Sequence, residues 1–316
     1  MNKILANDGI DAIGKKMLQD AGFNVITDKV AQENLAQYIN SNSIEVLTVR
    51  SATKVRKDII DSCPNLKLVV RGGVGIDNID AEYAKEKGLK VANTPAASSD
   101  SVAELVIASM FSMCRFLYDS NRKMPISGAL DFNDLKKKYS GGKELKGKTI
   151  GIIGIGRIGQ AVASRALGLG MKVIAHDPYV QNTNIKIELH DAGVINIPLK
   201  TISFDEVLAA SDYITVHVPG GSVIAEAEIA KMKDGVCLIN TSRGGVINEM
   251  ALIEGLNNNK IAHAALDVFE NEPTPKAELL SHSKISLTPH IGAATDEAQE
   301  RIGVELANII ISVLKN

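Results

Sequence analysis

Net charge is almost absent from this sequence: 35 lysines and arginines face 37 aspartates and glutamates, a balance of -2 over 316 residues. Without a surplus of either sign there is no global attraction to nucleic acid or to an anionic membrane, so any basic site must be local, and neither kind of partner is expected. Cysteine is scarce. Cys63, Cys114 and Cys237 are odd in number, far apart and without metal-type spacing, which argues against a disulfide framework or a bound metal and suits buried thiols in a reducing compartment. Long apolar runs are missing too. The opening MNKILANDG has only a short apolar stretch before Asn7 and Asp8, too short for the core of a signal peptide, and the apolar segment from Val102 is cut by Arg115. No low-complexity segment or short-period repeat appears. These absences lead us to expect a soluble, cytoplasmic chain whose function sits in a cleft.

What is present is length and alternation. A chain of 316 residues is about two domains' worth. Through the first 95 residues short apolar strands (KILAND, NVITD, EVLTVR, LKLVVR, LKVANTP) alternate with helical patterns, the signature of parallel βα units. Residues 98–121 read as one apolar helical run with Ser98 to Ser101 as capping candidates, followed by a polar loop to about Gly147. A second βα series then runs through KTIGIIG, MKVIAHD, YITVHVP, VCLINTSRGG, HAALDVF and KISLTPHIG, and an amphipathic helix over 295–314 closes the chain. The expected fold is α/β with two domains: a substrate domain of residues 1–97 and 289–316, flavodoxin-like, with a Rossmann nucleotide domain of residues 98–288 inserted in it.

The second series opens on TIGIIGIGRIGQAV. Gly154, Gly156 and Gly159 follow a β-rich run and precede a good helix, so Gly154 and Gly156 suit a tight turn and close backbone approach to a pyrophosphate, and Gly159 suits tight helix packing. The helix start, with Arg157 and Ile158, offers free amides and a positive dipole end to the anion. Asp177 ends the next strand; a carboxylate there accepts bonds from adenosine ribose hydroxyls and repels a 2'-phosphate, favouring NAD over NADP. A structural turn beside an unrelated surface aspartate is the alternative.

Three polar residues stand just after strands of this series: Arg243, Asp267 and His290, with Glu272 in the turn after Asp267. Parallel α/β sheets bind ligands at the carboxyl ends of their strands. Oxidising a secondary alcohol by hydride transfer needs a base for the hydroxyl proton, a cation for the substrate's carboxylate and carbonyl, and an acid to orient the base; His290, Arg243 and Glu272 supply these types. Taken singly, each also has a structural reading. A histidine after Thr-Pro can cap a helix, and an arginine before two glycines can serve a loop.

The motifs NTSRGGVIN, ALDVFENEP and TPHIGAAT, together with the glycine fingerprint and Asp177, resemble the D-2-hydroxyacid dehydrogenase family over nearly the whole chain. The resemblance implies NAD as cofactor, Arg243 on the substrate carboxylate and carbonyl, Glu272 paired with His290, and His290 as acid/base. It further implies cofactor contacts at Val74, Val218, Pro219, Thr241, Ser242, Asp267, Gly292 and Ala293. In the first domain VRSATKV, VVRGGVGIDNID and NTPAASSDSVAEL resemble the phosphoglycerate dehydrogenase branch. That implies substrate contacts at Arg50, Ser51, Arg71, Gly72 and Gly73, the glycine amides taking the carboxylate and the arginines a phosphate. The chain departs from the family at Ser98, Val74 and Val218, and its loop after Pro219 is shorter. No regulatory domain is expected after the last helix, and feedback control by serine has no obvious seat.

The apolar helix at 98–121 and its loop to Gly147 resemble the family's dimerisation arm, so a homodimer is expected; domain core is the alternative reading of that apolar face, and Arg122 and Lys136 to Lys138 on the loop read either as added charge toward a partner subunit or as a solvated face. Reduction of glyoxylate, hydroxypyruvate or another small 2-keto acid, and a non-enzymatic NAD-sensing protein, are the rival functions. His176, His190, His217, His263 and His282 read as structural or exposed.

Overall fold

The computed structural model describes residues 2–315. The chain packs as two compact units, one of the residues up to Ser99 together with those from Ala293 on, the other Asp100–Gly292.

The first unit is built on five strands, β1 (Lys3–Ala6), β2 (Asn24–Ile26), β3 (Val46–Val49), β4 (Leu68–Arg71) and β5 (Lys90–Asn93), all parallel in the order β2-β1-β3-β4-β5. This is the flavodoxin-like order. β3 and β4 are buried at every position, as central parallel strands covered on both faces must be. Alternate residues serve the two faces: Leu47 and Val69 meet Ile39 and Ile59, whereas Val46, Leu68 and Val70 meet Ile302, Leu306 and Ile310 of the last helix, Asp296–Lys315. That helix crosses Ala12–Asp20 at bare backbone. A Cβ on Gly14 would lie 2.4 Å from the Gly303 carbonyl oxygen, so the contact needs glycine.

The second unit holds β6 (Thr149–Ile153), β7 (Lys172–His176), an antiparallel hairpin of β8 (Asn182–Leu189) and β9 (Gly193–Lys200), then β10 (Tyr213–Val216), β11 (Val236–Asn240), β12 (Ile261–Leu266) and β13 (Ile285–Leu287). The six parallel strands run β13-β12-β11-β10-β6-β7, and the order reverses between β6 and β10. Such a reversal opens a crevice at the carboxyl ends of the strands. The architecture is that of a Rossmann nucleotide-binding unit.

Several expectations need correcting. The run over 98–121 is two helices, Ser99–Cys114 and Leu117–Ser127, bent by 57° where Phe116 adopts a left-handed φ of 54°. The stretch expected as loop to Gly147 contains the rest of that second helix and another, Phe132–Lys138. The hairpin was not expected, although its strands alternate in period two, with Ile185 opposite Ile197 and Ile187 opposite Ile195. The unit boundaries fall at 99/100 and 292/293, not at 97/98 and 288/289. The later boundary shifts because Asp267 accepts the N–H groups of Ile291 and Gly292, tying them to the second sheet. No single helix among the described residues is long and apolar enough to cross a membrane.

Candidate active site

In the second unit the chain turns at Gly154-Ile155-Gly156 between β6 and the helix Arg157–Gly168. Gly154 has φ +93°, and a Cβ on it would stand 2.3 Å from the His217 carbonyl oxygen. A Cβ on Gly159 would stand 2.2 Å from the Gly154 oxygen, which is why helix and strand can pack so closely. Gly156 is different: nothing lies within 4 Å of its Cβ position, and it caps the helix with no side-chain acceptor. Open space over uncapped amides at a helix start is the cradle a pyrophosphate needs. Arg157 is exposed there, and Ile158 packs on the core behind it.

Asp177 follows β7 and does more than the sequence suggests. Its Oδ2 accepts the N–H of Ile155 at 2.9 Å, inside the glycine turn, and its Oδ1 accepts those of Tyr179 and Val180. The same carboxylate thus fixes the turn. Val218 and Pro219 follow β10, and Val218 borders Gly154. Thr241, after β11, has a buried hydroxyl oxygen with no hydrogen-bond partner. An orphaned polar atom at the same carboxyl edge of the sheet as the uncapped helix start fits a nucleotide cofactor.

Three loops at the carboxyl ends of β11, β12 and β13 hold Arg243, Glu272 and His290, the residues expected to carry the chemistry. Asn240 shapes the first: its Oδ1 accepts from Ser242 N–H and Oγ–H, and its amide donates to the Arg243 carbonyl. The Ser242 hydroxyl is therefore engaged within the loop. Arg243 is half-buried, with one guanidinium N–H on the Ser242 carbonyl at 2.6 Å. Gly244 then presses against the second loop, since a Cβ on it would lie 2.0 Å from the Phe269 oxygen. In that second loop Glu272 accepts the Phe269 N–H through Oε1 at 3.0 Å and meets His290 Nδ1 through Oε2 at 2.7 Å. The pair is partly exposed, leaving the other imidazole nitrogen, Nε2, for a substrate.

His290 sits at φ +55°, a left-handed conformation uncommon for histidine, and the third loop is pinned around it. Asp267, 2 % exposed, accepts from Thr288 Oγ–H at 2.6 Å and from Ile291 and Gly292 N–H at 2.8 Å each. Asp267, expected as a cofactor contact, uses its carboxylate to hold the loop of the histidine. Gly292 fits because a Cβ would come 3.1 Å from Asp267 Oδ2. The Glu272 loop has an anchor the sequence reading missed. Glu249 and Glu270 each accept the other's backbone N–H, and Lys276 bridges them at 3.1 and 2.7 Å. The Glu-Asn-Glu-Pro run with a lysine shortly after was the available signal.

In the first unit Asp8, its side chain buried, accepts Arg50 N–H, Thr53 N–H and Thr53 Oγ–H and pairs with Lys29, fixing the loop of Arg50 and the exposed Ser51. Arg50 and Arg71 end adjacent strands and border one turn: the Gly72 Cβ position is 3.9 Å from Arg50 Cγ, and that of Gly73 is 3.8 Å from Arg71 Cζ. Arg71 is buried, with its guanidinium donating to the Gly75 carbonyl. The amides expected to bind a carboxylate have partners here, Gly72 N–H on Val49 O at 2.9 Å and Gly73 N–H on Thr94 Oγ1 at 2.8 Å. Val74 beside them is exposed, and Ala293 begins the return of the chain to this unit.

A helix-capped glycine turn and an Arg, Glu and His on three neighbouring loops define a nucleotide-dependent oxidoreductase site, and comparison with known proteins agrees. Residues 107–292 match the family described as D-isomer specific 2-hydroxyacid dehydrogenase, NAD binding domain. Over 99% of this chain and 98% of the relative, the sequence is 42% identical to hydroxypyruvate reductase of Thermotoga maritima. It is 39% identical to D-3-phosphoglycerate dehydrogenase of Methanocaldococcus jannaschii, over all of this chain but 58% of that longer protein. A glyoxylate reductase from Paecilomyes thermophila superposes with TM-score 0.81 at 30% identity, covering 100% and 96% of the two chains. The D-lactate dehydrogenase of Aquifex aeolicus, solved with NAD and lactic acid, gives 0.75 at 29%, covering 99% and 96%.

The chain belongs to the D-isomer specific 2-hydroxyacid dehydrogenase family and is an NAD-dependent oxidoreductase. Its relatives act, by their names, on more than one small acid.

Proposed function

We propose that the chain interconverts 3-phosphoglycerate and 3-phosphohydroxypyruvate, the opening step of serine synthesis. Bound NAD supplies the hydride acceptor. His290 takes the C2 hydroxyl proton at Nε2 in oxidation and returns it in reduction, while Glu272 holds the opposite nitrogen, Nδ1. Arg243 binds the substrate carboxylate and polarises the carbonyl. The observation that carries the choice of substrate is the pair Arg50 and Arg71 bordering the Gly72-Gly73 turn. A phosphate carries close to two negative charges and bonds best to planar guanidinium forks.

A second reading is reduction of unphosphorylated hydroxypyruvate or glyoxylate. Two observations favour it: the Arg71 guanidinium is already bonded to the Gly75 carbonyl, and a relative matched over 98% of its length is a hydroxypyruvate reductase. NADH oxidation with phosphohydroxypyruvate, hydroxypyruvate and glyoxylate in parallel separates the readings. A kcat/KM at least tenfold higher for the phosphorylated acid is the expected result, and a preference for either unphosphorylated acid overturns it.

We also infer a homodimer, seated on the helices Leu117–Ser127 and Phe132–Lys138 and the turn between them, where Ile126 is 78% and Leu130 90% exposed. Sedimentation at micromolar concentration is expected to show twice the chain mass of 33.7 kDa. A species at the single-chain mass alone would contradict it.

A further inference from the structure

The catalytic loops use one edge of the second sheet, the carboxyl ends of its strands. At the opposite edge, where β10, β11 and β12 begin, lies a separate cavity of about 280 Å³ between Tyr213, Cys237 and His263 on one side and Met113 and Phe116 on the other. Among the described residues it shares no lining with the Arg243, Glu272 and His290 loops.

Its charges are unequally engaged. Four ionic side chains line it: Lys143, Lys148, Asp212 and Asp234. Both carboxylates are engaged by other groups. Asp212 is paired with Lys233 at 3.0 Å and accepts the Thr149 N–H at 2.8 Å, and Asp234 is paired with Lys260 at 2.8 Å. Lys148 adds only a through-space pull on Asp212. Lys143 and Lys148 thus line the cavity with no described carboxylate within ion-pair distance of either.

The interior is half polar. His263 packs edge-on against the Phe116 ring at 5.9 Å, and its buried Nδ1 has no hydrogen-bond partner. Burial, aided by the charges of Lys284 and Lys143, keeps that imidazole neutral, and burial pushes the Cys237 thiol up to about 12. Neither group supplies a negative charge. A cavity lined by two lysines without carboxylate partners, by an unpartnered imidazole nitrogen and by Met113, Phe116 and Ala262 for apolar contact suits an anion with a compact hydrophobic body.

We propose that this cavity is a second ligand site, taking a small carboxylate with an aromatic or branched apolar body, its carboxylate on Lys143 and Lys148 and its body against Phe116. The occupant is a ligand other than the hydroxy acid of the catalytic loops, because the site has no arginine fork and holds no cofactor turn.

Calorimetric titration of the full chain with benzoate, and with uncharged benzamide, tests this. Benzoate is expected to bind, with benzamide at least about tenfold weaker, the scale of one charge-assisted bond. Lys143→Met is expected to weaken benzoate about tenfold, and Ala262→Leu, which fills the cavity, to abolish it, with NADH affinity unchanged in both as evidence of an intact fold. No benzoate binding, equal binding of benzamide, or equal benzoate binding in both variants would overturn the proposal.

Discussion

Asp267 and Thr288 meet at 2.6 Å, carboxylate to hydroxyl, and the same carboxylate takes the two amides that follow His290. The histidine is thereby bracketed from both sides in a left-handed conformation it would not hold alone. In Asp267→Asn one acceptor becomes an NH2 facing an N–H. Turnover is expected to fall about tenfold to 150-fold, the range of a charged hydrogen bond, while the KM for NADH changes less than about threefold. A large rise in that KM with normal turnover would make Asp267 a direct cofactor ligand instead.

His290 and Glu272 act as a unit if their 2.7 Å contact matters in turnover. His290→Ala is expected to lower kcat by about 10² to 10⁴, the usual weight of a positioned acid/base. Glu272→Gln alone is expected to cost less, and adding it to His290→Ala to cost almost nothing further, because the glutamate works through the ring. Additive losses measured in steady-state kinetics would separate the two roles.

His217, behind the glycine turn, is driven by burial down to about 3. The unfolded chain protonates this group below about 6.5, whereas the folded chain holds it neutral until near 3. Its contribution is therefore complete above the unfolded value and is lost progressively as pH falls through that window. Urea unfolding at pH 7 and pH 5 is expected to show a smaller loss of stability in His217→Asn than in the parent. An equal loss in both would mean His217 does not titrate in this way.

Much of this was legible in the sequence because parallel strands buried on both faces write continuous apolar runs, and the residue that ends each run is the one the sheet offers to a ligand. Arg50, Arg71, Asp177 and Asp267 stand where that rule puts them, and Arg243 lies three residues beyond the end of β11. What the rule cannot supply is where a side chain turns once it arrives. Asp177 and Asp267 turn back to hold their own loops, and the Arg71 guanidinium bonds the Gly75 carbonyl. The bend at Phe116 was hidden because an apolar run stays apolar across a single left-handed residue. The hairpin of β8 and β9 is absent from the strands read in the sequence because its period-two apolar residues, such as Ile185, Ile187, Ile195 and Ile197, alternate with polar ones rather than forming a continuous run.

The phosphate reading is tested most directly at Arg50, whose backbone is fixed by Asp8 and whose side chain borders Gly72. KM is to be measured in Arg50→Ala for phosphohydroxypyruvate and for hydroxypyruvate under identical conditions. The account predicts a rise of about tenfold to 150-fold for the phosphorylated acid, the scale of one charge-assisted bond, with the unphosphorylated acid nearly unchanged. Equal rises for both acids would contradict it and assign the arginine to the carboxylate or to the fold.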